Sequence, residues 1–239
     1  FFQAEDGIRD YKVTGVQTCA LPIYKGALKN ASPDSHEIVL VESKRMLRSR
    51  RWHRQRIFFM LSAARHFAHA LRDEGFTVHY VKSETTSDGI SSLGFDSVIA
   101  TEPASFRLTS SLSEIGVTFV ENDFFLTPRS LFLEWASQQK SLKLENFYRW
   151  QRMRLDVLMD GDRPLGGKWN LDSENRLPPP KEPHPWPEYP HFNRDELDNE
   201  VITDISGLDL AGAIDEAIWG TTRGAALDRK STRLNSSHL

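Results

Sequence analysis

The sequence predicts an α/β protein built on a doubly wound parallel sheet. Two observations predict this class: short apolar runs alternate with segments of helical periodicity, and turn residues separate them. Residues 37–43 (EIVLVES) form a continuous apolar run with a polar end. Such a run is typical of a strand buried on both faces of a parallel sheet. Strands that alternate with helices at this spacing imply right-handed crossovers, and therefore a doubly wound sheet.

The remaining elements follow along the chain. Helical periodicity runs from Trp52 towards Gly75, a residue that suits the position after a helix. The predicted buried stripe of this helix is Ile57, Leu61, Ala64, Phe67, Ala68 and Leu71. Strands are also predicted over 77–81, 97–101 and 118–121, and helices over 131–139, with Ser130 as its N-cap, and 145–159.

The composition limits the classes of function. The formal net charge is -3 over 239 residues, which gives no global argument for nucleic-acid binding. The sequence has no apolar run long enough to span a membrane and no secretory signal, so a cytoplasmic monomer without a membrane partner is expected. Glycine-rich phosphate loops are absent, and Gly166 and Gly167 are interpreted as a tight turn before Trp169.

The two ends of the chain differ from the rest. Residues 1–23 and 229–239 resemble translated sequencing-adapter DNA, and they show neither helical nor strand periodicity. Both are expected to be artefactual or disordered tails. The single cysteine, Cys19, lies in the first of them, so residues 24–228 offer no thiol for a disulfide, a nucleophile or a metal cluster.

A ligand site is expected at one edge of the sheet. Ligands of doubly wound sheets bind outside the carboxyl ends of the strands. Two strand ends and one helix start supply polar and aromatic side chains there. The predicted cofactor-binding residues are Glu42, Ser43, Trp52, His53, Glu102 and Pro103. For His53, a capping or packing role is an equally good interpretation.

Two further groups of side chains are candidate binding sites. Residues 44–56 (KRMLRSRRWHRQR) concentrate cations that could contact a phosphate-like ligand, and a solvated or internally paired face is an equal alternative. His66 and His69 lie one helical turn apart without a matching carboxylate, thiol or HExxH pattern, so a solvated helix surface is favoured over a metal site. No catalytic residue is predicted, because no pair of nucleophile and base is identifiable.

Three stretches resemble one protein family. Residues 158–176 (LMDGDRPLGGKWNLDSENR) combine a Gly-Gly turn, an aromatic anchor and alternating amide and acid side chains. Residues 52–67 (WHRQRIFFMLSAARHF) and the tripeptide Thr101-Glu102-Pro103 match two further segments of that family. Together they resemble the deoxyribodipyrimidine photolyase-related proteins, the bacterial iron-sulfur group of the cryptochrome/photolyase superfamily.

The resemblance implies a light-driven DNA-repair protein. In the complete protein, FAD in a C-terminal helical domain donates an electron to a pyrimidine lesion that is flipped out of damaged DNA. The same domain holds a [4Fe-4S] cluster, and the N-terminal Rossmann-like domain holds an antenna chromophore, a lumazine in characterised relatives. Met46 and Ser49 stand where lumazine-binding relatives carry an acid and a tyrosine, so a different antenna, or none, is the alternative.

The resemblance also implies a domain order. Residues 24–160 are assigned to an antenna-type α/β domain without its first strand, residues 161–195 to an interdomain loop and Pro-rich linker, and residues 196–228 to the start of a truncated helical flavin domain. The chain is thus expected to be an N-terminal fragment that does not repair DNA by itself. Two alternatives stay open: a cryptochrome-like photoreceptor, and a stand-alone α/β module that binds a small molecule or another protein.

Overall fold

The computed structural model describes residues 26–123, 125–170, 191–214, 220–222 and 224–225. They fall into two units, the first made of residues 26–123 with the described residues from 191 onward, and the second made of residues 125–170. The predicted tails, Cys19 and residues 171–190 of the Pro-rich segment lie outside the described residues. The predicted domain boundaries stay a prediction.

Strands and helices alternate in the first unit. In chain order the elements are β1 (Ile38–Ser43), α1 (Lys44–Arg48), α2 (Arg54–Asp73), β2 (Val78–Ser83), α3 (Thr86–Ser91), β3 (Ile99–Thr101), α4 (Phe106–Ser113), β4 (Thr118–Val120), α5 (Arg129–Ser137), α6 (Leu144–Leu155), β5 (Met159–Asp160), β6 (Arg163–Pro164) and α7 (Glu196–Ile205). Elements α5 to β6 belong to the second unit, and α7 belongs to the first. The predicted α/β class is confirmed.

The described strands pair as three two-stranded sheets. β1 and β2 are parallel, with Ile38 opposite Val78 and Ser43 opposite Ser83. β3 and β4 are also parallel, whereas β5 and β6 form a short antiparallel pair. The middle of β1 is half-buried instead of fully buried as its apolar run predicts. Parallel pairing with helical crossovers is the arrangement that the alternating pattern predicts.

Helix α2 packs against α7 in the first unit. Their shared core consists of Ile57, Phe58, Leu61, Val201, Ile205 and Leu210. The prediction that Phe67 is buried is wrong, since this residue is 38% exposed. Arg65 lies on the buried stripe of α2 instead, because it forms an ion pair with Glu42 inside the protein. Among the described helices, none is long and apolar enough to cross a membrane.

The backbone tests three predicted helix ends. Gly75 follows α2 with a φ of 94°, which confirms the prediction that a glycine ends this helix in the left-handed region. Ser130 is not the N-cap, because α5 begins at Arg129 and Pro128, with an extended backbone (φ -61°, ψ 157°), holds the N-cap position. Helix α6 ends at Leu155 and not at residue 159, because Asp156 adopts a left-handed φ of 51°.

The second unit has a cluster of aromatic rings and a buried arginine. Ring centroids lie between 5.0 and 6.0 Å apart in a cluster of Phe132, Trp135, Phe147 and Trp150. The buried Arg152 guanidinium donates hydrogen bonds to the carbonyls of Val157, Leu158 and Trp169. Gly166 and Gly167 have φ values of 69° and 71°, so the predicted tight turn before Trp169 is confirmed.

Candidate functional site

A buried ion pair lies at the carboxyl end of β1. The side chains of Glu42 and Arg65 are only 7% and 8% exposed. The Arg65 Nε atom donates to Glu42 Oε1 at 2.9 Å, and its Nη2 atom lies 3.4 Å from Glu42 Oε2. A planar guanidinium facing a carboxylate with two donors compensates the loss of water around both charges. Helix α2 is thereby fixed to strand β1.

Three more polar side chains extend this pair into a network. The Tyr80 hydroxyl on β2 donates to Glu42 Oε1 at 2.5 Å. Asp204 on α7 accepts from Arg65 Nη2 at 2.5 Å and from Lys82 Nζ at 2.7 Å, both at its Oδ2 atom. The network thus joins β1, β2, α2 and α7 through charge-assisted hydrogen bonds, which are the stronger class.

The network changes the acidity of its members. Burial and then the hydrogen bond to Glu42 raise the pKa of Tyr80 far above its usual range. Burial acts to lower the pKa of Arg65, but the hydrogen bonds to Glu42 and Asp204 outweigh it and raise this pKa. Hydrogen bonds from Lys82 and then Arg65 hold the pKa of Asp204 below its usual value. Near neutral pH the tyrosine is therefore neutral and Asp204 is charged.

Ser43 and Trp52 shape the connection that follows β1. The Ser43 hydroxyl accepts from the Met46 N–H at 3.3 Å and caps α1, and it donates to the Glu84 carbonyl at 3.2 Å. The Trp52 indole N–H donates to the Met46 carbonyl at 3.0 Å. Ser43 is buried and Trp52 is half-buried. Both are therefore held by the same short helix.

Cations surround the Trp52 ring. The guanidinium carbons of Arg50 and Arg56 lie 4.5 and 4.7 Å from its ring centroid, within cation–π range. Two other cations of the run 44–56 have acidic partners, with Arg48 3.5 Å from Glu84 and Arg51 3.1 Å from Asp209. The run is thus partly paired with acidic side chains at the protein surface, and the interpretation that it binds a phosphate-like ligand stays a prediction.

His53 has a structural role that the sequence left as one of two alternatives. Its exposed side chain caps α2 by accepting from the Gln55 N–H at 3.3 Å. A side chain at Gly212, whose φ is 73°, would collide with the His53 ring. The capping interpretation is confirmed, and His53 also pairs with Ala211 in an isolated parallel bridge.

Glu102 and Pro103 continue the end of β3. The Glu102 N–H donates to the Val120 carbonyl at 2.9 Å, and its own carbonyl accepts from Asn122 Nδ2 at 3.0 Å. The Pro103 carbonyl accepts from the Thr109 hydroxyl at 3.3 Å. Both residues are half-buried. Their backbone therefore fixes the turn from β3 into α4.

The predicted site residues fall into two groups. Glu42 and Ser43 end β1, and Trp52 and His53 lie shortly after them, before α2. Glu102 and Pro103 directly follow β3, which belongs to a different two-stranded sheet. The role of all six in binding a cofactor stays a prediction. The Glu42 carboxylate is already bonded within the protein and is therefore not free to contact a ligand. What the first group can offer a ligand is the Trp52 indole and the cations beside it.

Sequence reasoning missed the partners of Glu42. Arg65 was overlooked because it lies in an apolar stripe of the helix, between Leu61 and Ala68 at helical spacing. That position was itself a signal, because an arginine on a buried stripe requires an acid nearby. Tyr80 and Asp204 gave no comparable signal, since strand pairing and the packing of α7 bring them to the site.

A second cluster missed by the sequence lies where α2 meets α7. One ligand atom from each of His66, Asp195 and Asp198 lies within 4.8 Å of the others. Burial acts to lower the pKa of His66, but its hydrogen bond to Asp195 outweighs this and the pKa is raised. His66 is therefore not on a solvated helix surface, in contrast to the interpretation favoured by the sequence.

Comparisons with known proteins agree with the family resemblance of the sequence. The sequence matches the model of the deoxyribodipyrimidine photo-lyase-related protein family over residues 20–219. It is 33% identical over 189 residues to the (6-4) photolyase of Agrobacterium fabrum (strain C58 / ATCC 33970), an alignment that covers 72% of this chain and 37% of that protein.

A second relative is the uncharacterized protein R852 of Acanthamoeba polyphaga mimivirus. It is 24% identical over 170 residues, which cover 60% of this chain and 84% of the viral protein. The chain therefore spans little more than a third of the photolyase but most of the viral protein. The family match covers well over half of the sequence, and the chain belongs to the deoxyribodipyrimidine photo-lyase-related protein family.

Proposed function

We propose that this chain is the antenna-domain portion of a light-dependent DNA photolyase that repairs pyrimidine photoproducts in the complete protein. The family match over residues 20–219 carries the proposal. The relative named a (6-4) photolyase favours the (6-4) photoproduct as the lesion. Because the lesion's bonds lie inside the base stack, repair requires that the damaged bases be flipped out of the duplex.

The proposal includes one doubly wound sheet that contains both parallel pairs. In the strand order of such folds the first strand is central, between the second and the fourth. Suppose that β1 and β2 correspond to the second and third strands of such a fold in chain order, and β3 and β4 to the fourth and fifth. The position of the first strand in the sheet then lies between the two pairs. This arrangement accounts for two parallel pairs that form separate sheets in the described residues.

The sheet proposal can be tested with a chimeric chain. A short strand-forming segment rich in β-branched residues would be fused ahead of Gly26, with a proline at its centre in the matched control. A central strand that completes the sheet raises the melting temperature, whereas a proline there removes a ladder hydrogen bond and cancels the gain. Equal melting temperatures for the two fusions would contradict the arrangement.

The antenna chromophore would bind at the strand ends that carry the six predicted residues. In this proposal Glu42 acts as a positioning residue, because Arg65 and Tyr80 already occupy its carboxylate. The half-buried Trp52 would supply the aromatic contact, and Glu102 and Pro103 would form the opposite wall. The hydrogen bonds of Glu42 with Arg65 and Tyr80 would hold these strand ends in place before the ligand arrives, which would lower the cost of binding.

FAD and the [4Fe-4S] cluster are proposed only for the complete protein. A cluster of this kind needs four cysteine thiolates, and the sequence contains one cysteine. The residues of this chain therefore do not fit the cluster. The electron transfer to the lesion belongs to the flavin, and the proposed task of this chain is to hold the antenna near it.

The decisive experiment is a repair assay on the complete protein. It would receive oligonucleotides that carry either a (6-4) photoproduct or a cyclobutane dimer, in blue light and in darkness. Light-dependent loss of the (6-4) lesion alone is the expected result. A protein that binds flavin and responds to light without repairing either lesion would support the cryptochrome-like photoreceptor instead.

The antenna role can be tested on this chain by titration with a lumazine. Glu102→Ala should change the near-ultraviolet absorbance of the bound chromophore, and Glu114→Ala, an exposed glutamate at the end of α4, serves as the matched control. Identical spectra for both variants and the unmodified chain would remove Glu102 from the site.

One observation favours a second candidate, a stand-alone α/β binding module. The alignment covers 84% of the viral relative, so this portion occurs in that protein without a long additional region. The module would bind a small molecule without photochemistry. An antenna that passes its excitation to the flavin loses fluorescence when FAD is present. If a lumazine binds saturably but its fluorescence in the complete protein is the same with and without FAD, the binding module is favoured over the antenna.

A further inference from the structure

His66 lies between a backbone carbonyl and a carboxylate. Its Nδ1 atom is 2.8 Å from the Ser62 carbonyl oxygen, one turn earlier on α2. A carbonyl can only accept, so this contact places a proton on Nδ1. The Nε2 atom lies 2.7 Å from Asp195 Oδ2. Because a carboxylate only accepts, Nε2 donates a proton in this contact. A metal ion that displaces this proton would bind the Nε2 lone pair, as in metal-binding histidines whose Nδ1–H is held by a backbone carbonyl.

The two aspartates belong to the first turn of α7. Asp195 is the N-cap, and its Oδ1 atom accepts from the Asp198 N–H at 3.0 Å. Asp198 returns a bond through Oδ2, which lies 3.4 Å from the Asp195 N–H and 3.5 Å from the Thr221 hydroxyl. Each carboxylate thus retains one oxygen that the capping box does not use.

Asp198 is the unusual member of the cluster. It is 3% exposed, and its Oδ1 atom has no hydrogen-bond partner among the residues that the structure describes. A buried carboxylate oxygen without a partner loses its solvation and gains nothing in return, so such atoms are rare in folded proteins. Among the described residues, the Oδ1 atom therefore lacks a compensating contact, which a ligand could supply.

We propose that His66, Asp195 and Asp198 bind one divalent first-row transition-metal ion. One ligand atom of each lies within 4.8 Å of the others, so a small rotation of the exposed Asp195 carboxylate closes the set around an ion. One imidazole nitrogen and two carboxylate oxygens suit Zn²⁺, Co²⁺ or Ni²⁺, whereas Mg²⁺ and Ca²⁺ prefer oxygen alone.

The ion would connect two distant parts of the chain. His66 and Asp195 are 129 positions apart, on α2 and at the start of α7. A cation is unfavourable at a helix N-terminus, and the negative charges of Asp195 and Asp198 would compensate for this. Binding would therefore hold α7 on α2, beside the core that these helices share.

Zn²⁺ titration of the metal-stripped full chain tests the site by isothermal calorimetry. One equivalent should bind, and the affinity should fall at least tenfold in Asp195→Asn, Asp198→Asn and His66→Gln. His69→Gln, on the exposed part of the same helix, is the matched control and should bind like the unmodified chain. Cys19→Ser tests whether the single thiol contributes. At a free Zn²⁺ concentration about 100 times Kd, the melting temperature should rise by about 5 to 10 °C.

The variants separate loss of binding from loss of folding. Asparagine is as good an N-cap as aspartate, so Asp195→Asn should retain α7 while losing a charged ligand. Circular dichroism of each variant without metal confirms its fold. If Zn²⁺ does not bind, or if it binds equally well to the three site variants and to His69→Gln, the proposal is overturned.

Discussion

The two parallel strand pairs look alike in the sequence but differ in the structure. β1 and β2 pair over six residues, and a buried ion network joins their carboxyl ends to α2 and α7. β3 and β4 pair over three residues, and Ile99 at the start of β3 is 50% exposed. An apolar run therefore predicts a strand, whereas its burial depends on which helices cover it.

The largest expected effect is the loss of the arginine in the network. Arg65→Ala leaves the Glu42 carboxylate buried without its cation, and removing one partner of a buried pair costs about 3 to 5 kcal/mol in the free energy of unfolding. Urea denaturation followed by circular dichroism measures this cost. Arg45→Ala, an exposed arginine on α1, is the control and should change the free energy by less than about 0.5 kcal/mol.

A combined variant sharpens the same prediction. Replacing Glu42, Arg65 and Tyr80 together by Leu, Met and Phe removes the charges without leaving one unpaired. Such replacements are often neutral or stabilising. If Arg65→Ala alone were as stable as the unmodified chain, the network would not be what fixes α2 to the first strand pair.

The next effect compares apolar side chains beside the two strand pairs. Leu71 is fully buried with Ile38 and Phe76, so Leu71→Ala should cost about 2 to 5 kcal/mol. Ile99→Ala should cost less than about 1 kcal/mol, because half of the side chain is already in water. Denaturant titrations of the two variants give the comparison. If the slope of the unfolding free energy against denaturant concentration is unchanged, a shift of the midpoint measures the change in stability. Equal losses would show that β3 and β4 are as well covered as β1 and β2.

Tyr80→Phe isolates the hydrogen bond across the first pair. The substitution keeps the ring and removes the donor to Glu42, and hydrogen bonds to charged groups contribute about 1.5 to 3 kcal/mol. The loss should be smaller than that of Arg65→Ala, because Arg65 still compensates the carboxylate. Tyr148→Phe, in the second unit, is the comparison: its hydroxyl accepts only a longer bond, 3.4 Å from Arg152 Nη1, so its loss should cost less. A greater loss for Tyr80→Phe than for Arg65→Ala would reverse the assigned order of the two contacts.

The strands described in the first unit were predictable, whereas their long-range contacts were not. Local patterns indicated β1 to β4 and the glycine that ends α2, because these depend on neighbouring residues, but they did not indicate the short helices α3 and α4. The ion network needs Glu42, Arg65 and Asp204 from three separate elements, so no local pattern contains it. The prediction that Phe67 is buried was wrong for the same reason, because the pairing of Arg65 with Glu42 sets which face of α2 is buried.

The metal cluster shows the same limit more sharply. His66 had no acidic neighbour at helical spacing, and its partners come from α7, beyond a Pro-rich segment. His53 was easier to interpret, because a residue just before an apolar helical run is a candidate N-cap from local sequence alone. Residues whose role depends on their own helix are thus predictable, and residues whose role depends on tertiary packing are not.

The smallest expected effect is the pH dependence that Asp204 gives to the first pair. Lys82 and Arg65 lower the pKa of Asp204 below its usual value of 3.8, so its ion pairs stabilise the folded protein above that pH. This stability is lost as the pH falls through the lowered pKa and the carboxylate is protonated. Because the Asp204 side chain is 42% exposed, water and salt screen the interaction to about 1 kcal/mol or less.

Asp204→Asn should flatten the acid limb of the stability curve below about pH 4, where the unmodified chain still loses this contribution. Thermal denaturation between pH 2 and 7 at low salt measures the limb, and Asp73→Asn, an exposed aspartate at the end of α2, is the control. Added salt should weaken the difference between Asp204→Asn and the unmodified chain, because it screens the exposed Lys82 contact more than the buried Arg65. An acid limb that is the same in both aspartate variants would mean that the ion pairs of Asp204 do not stabilise the first strand pair.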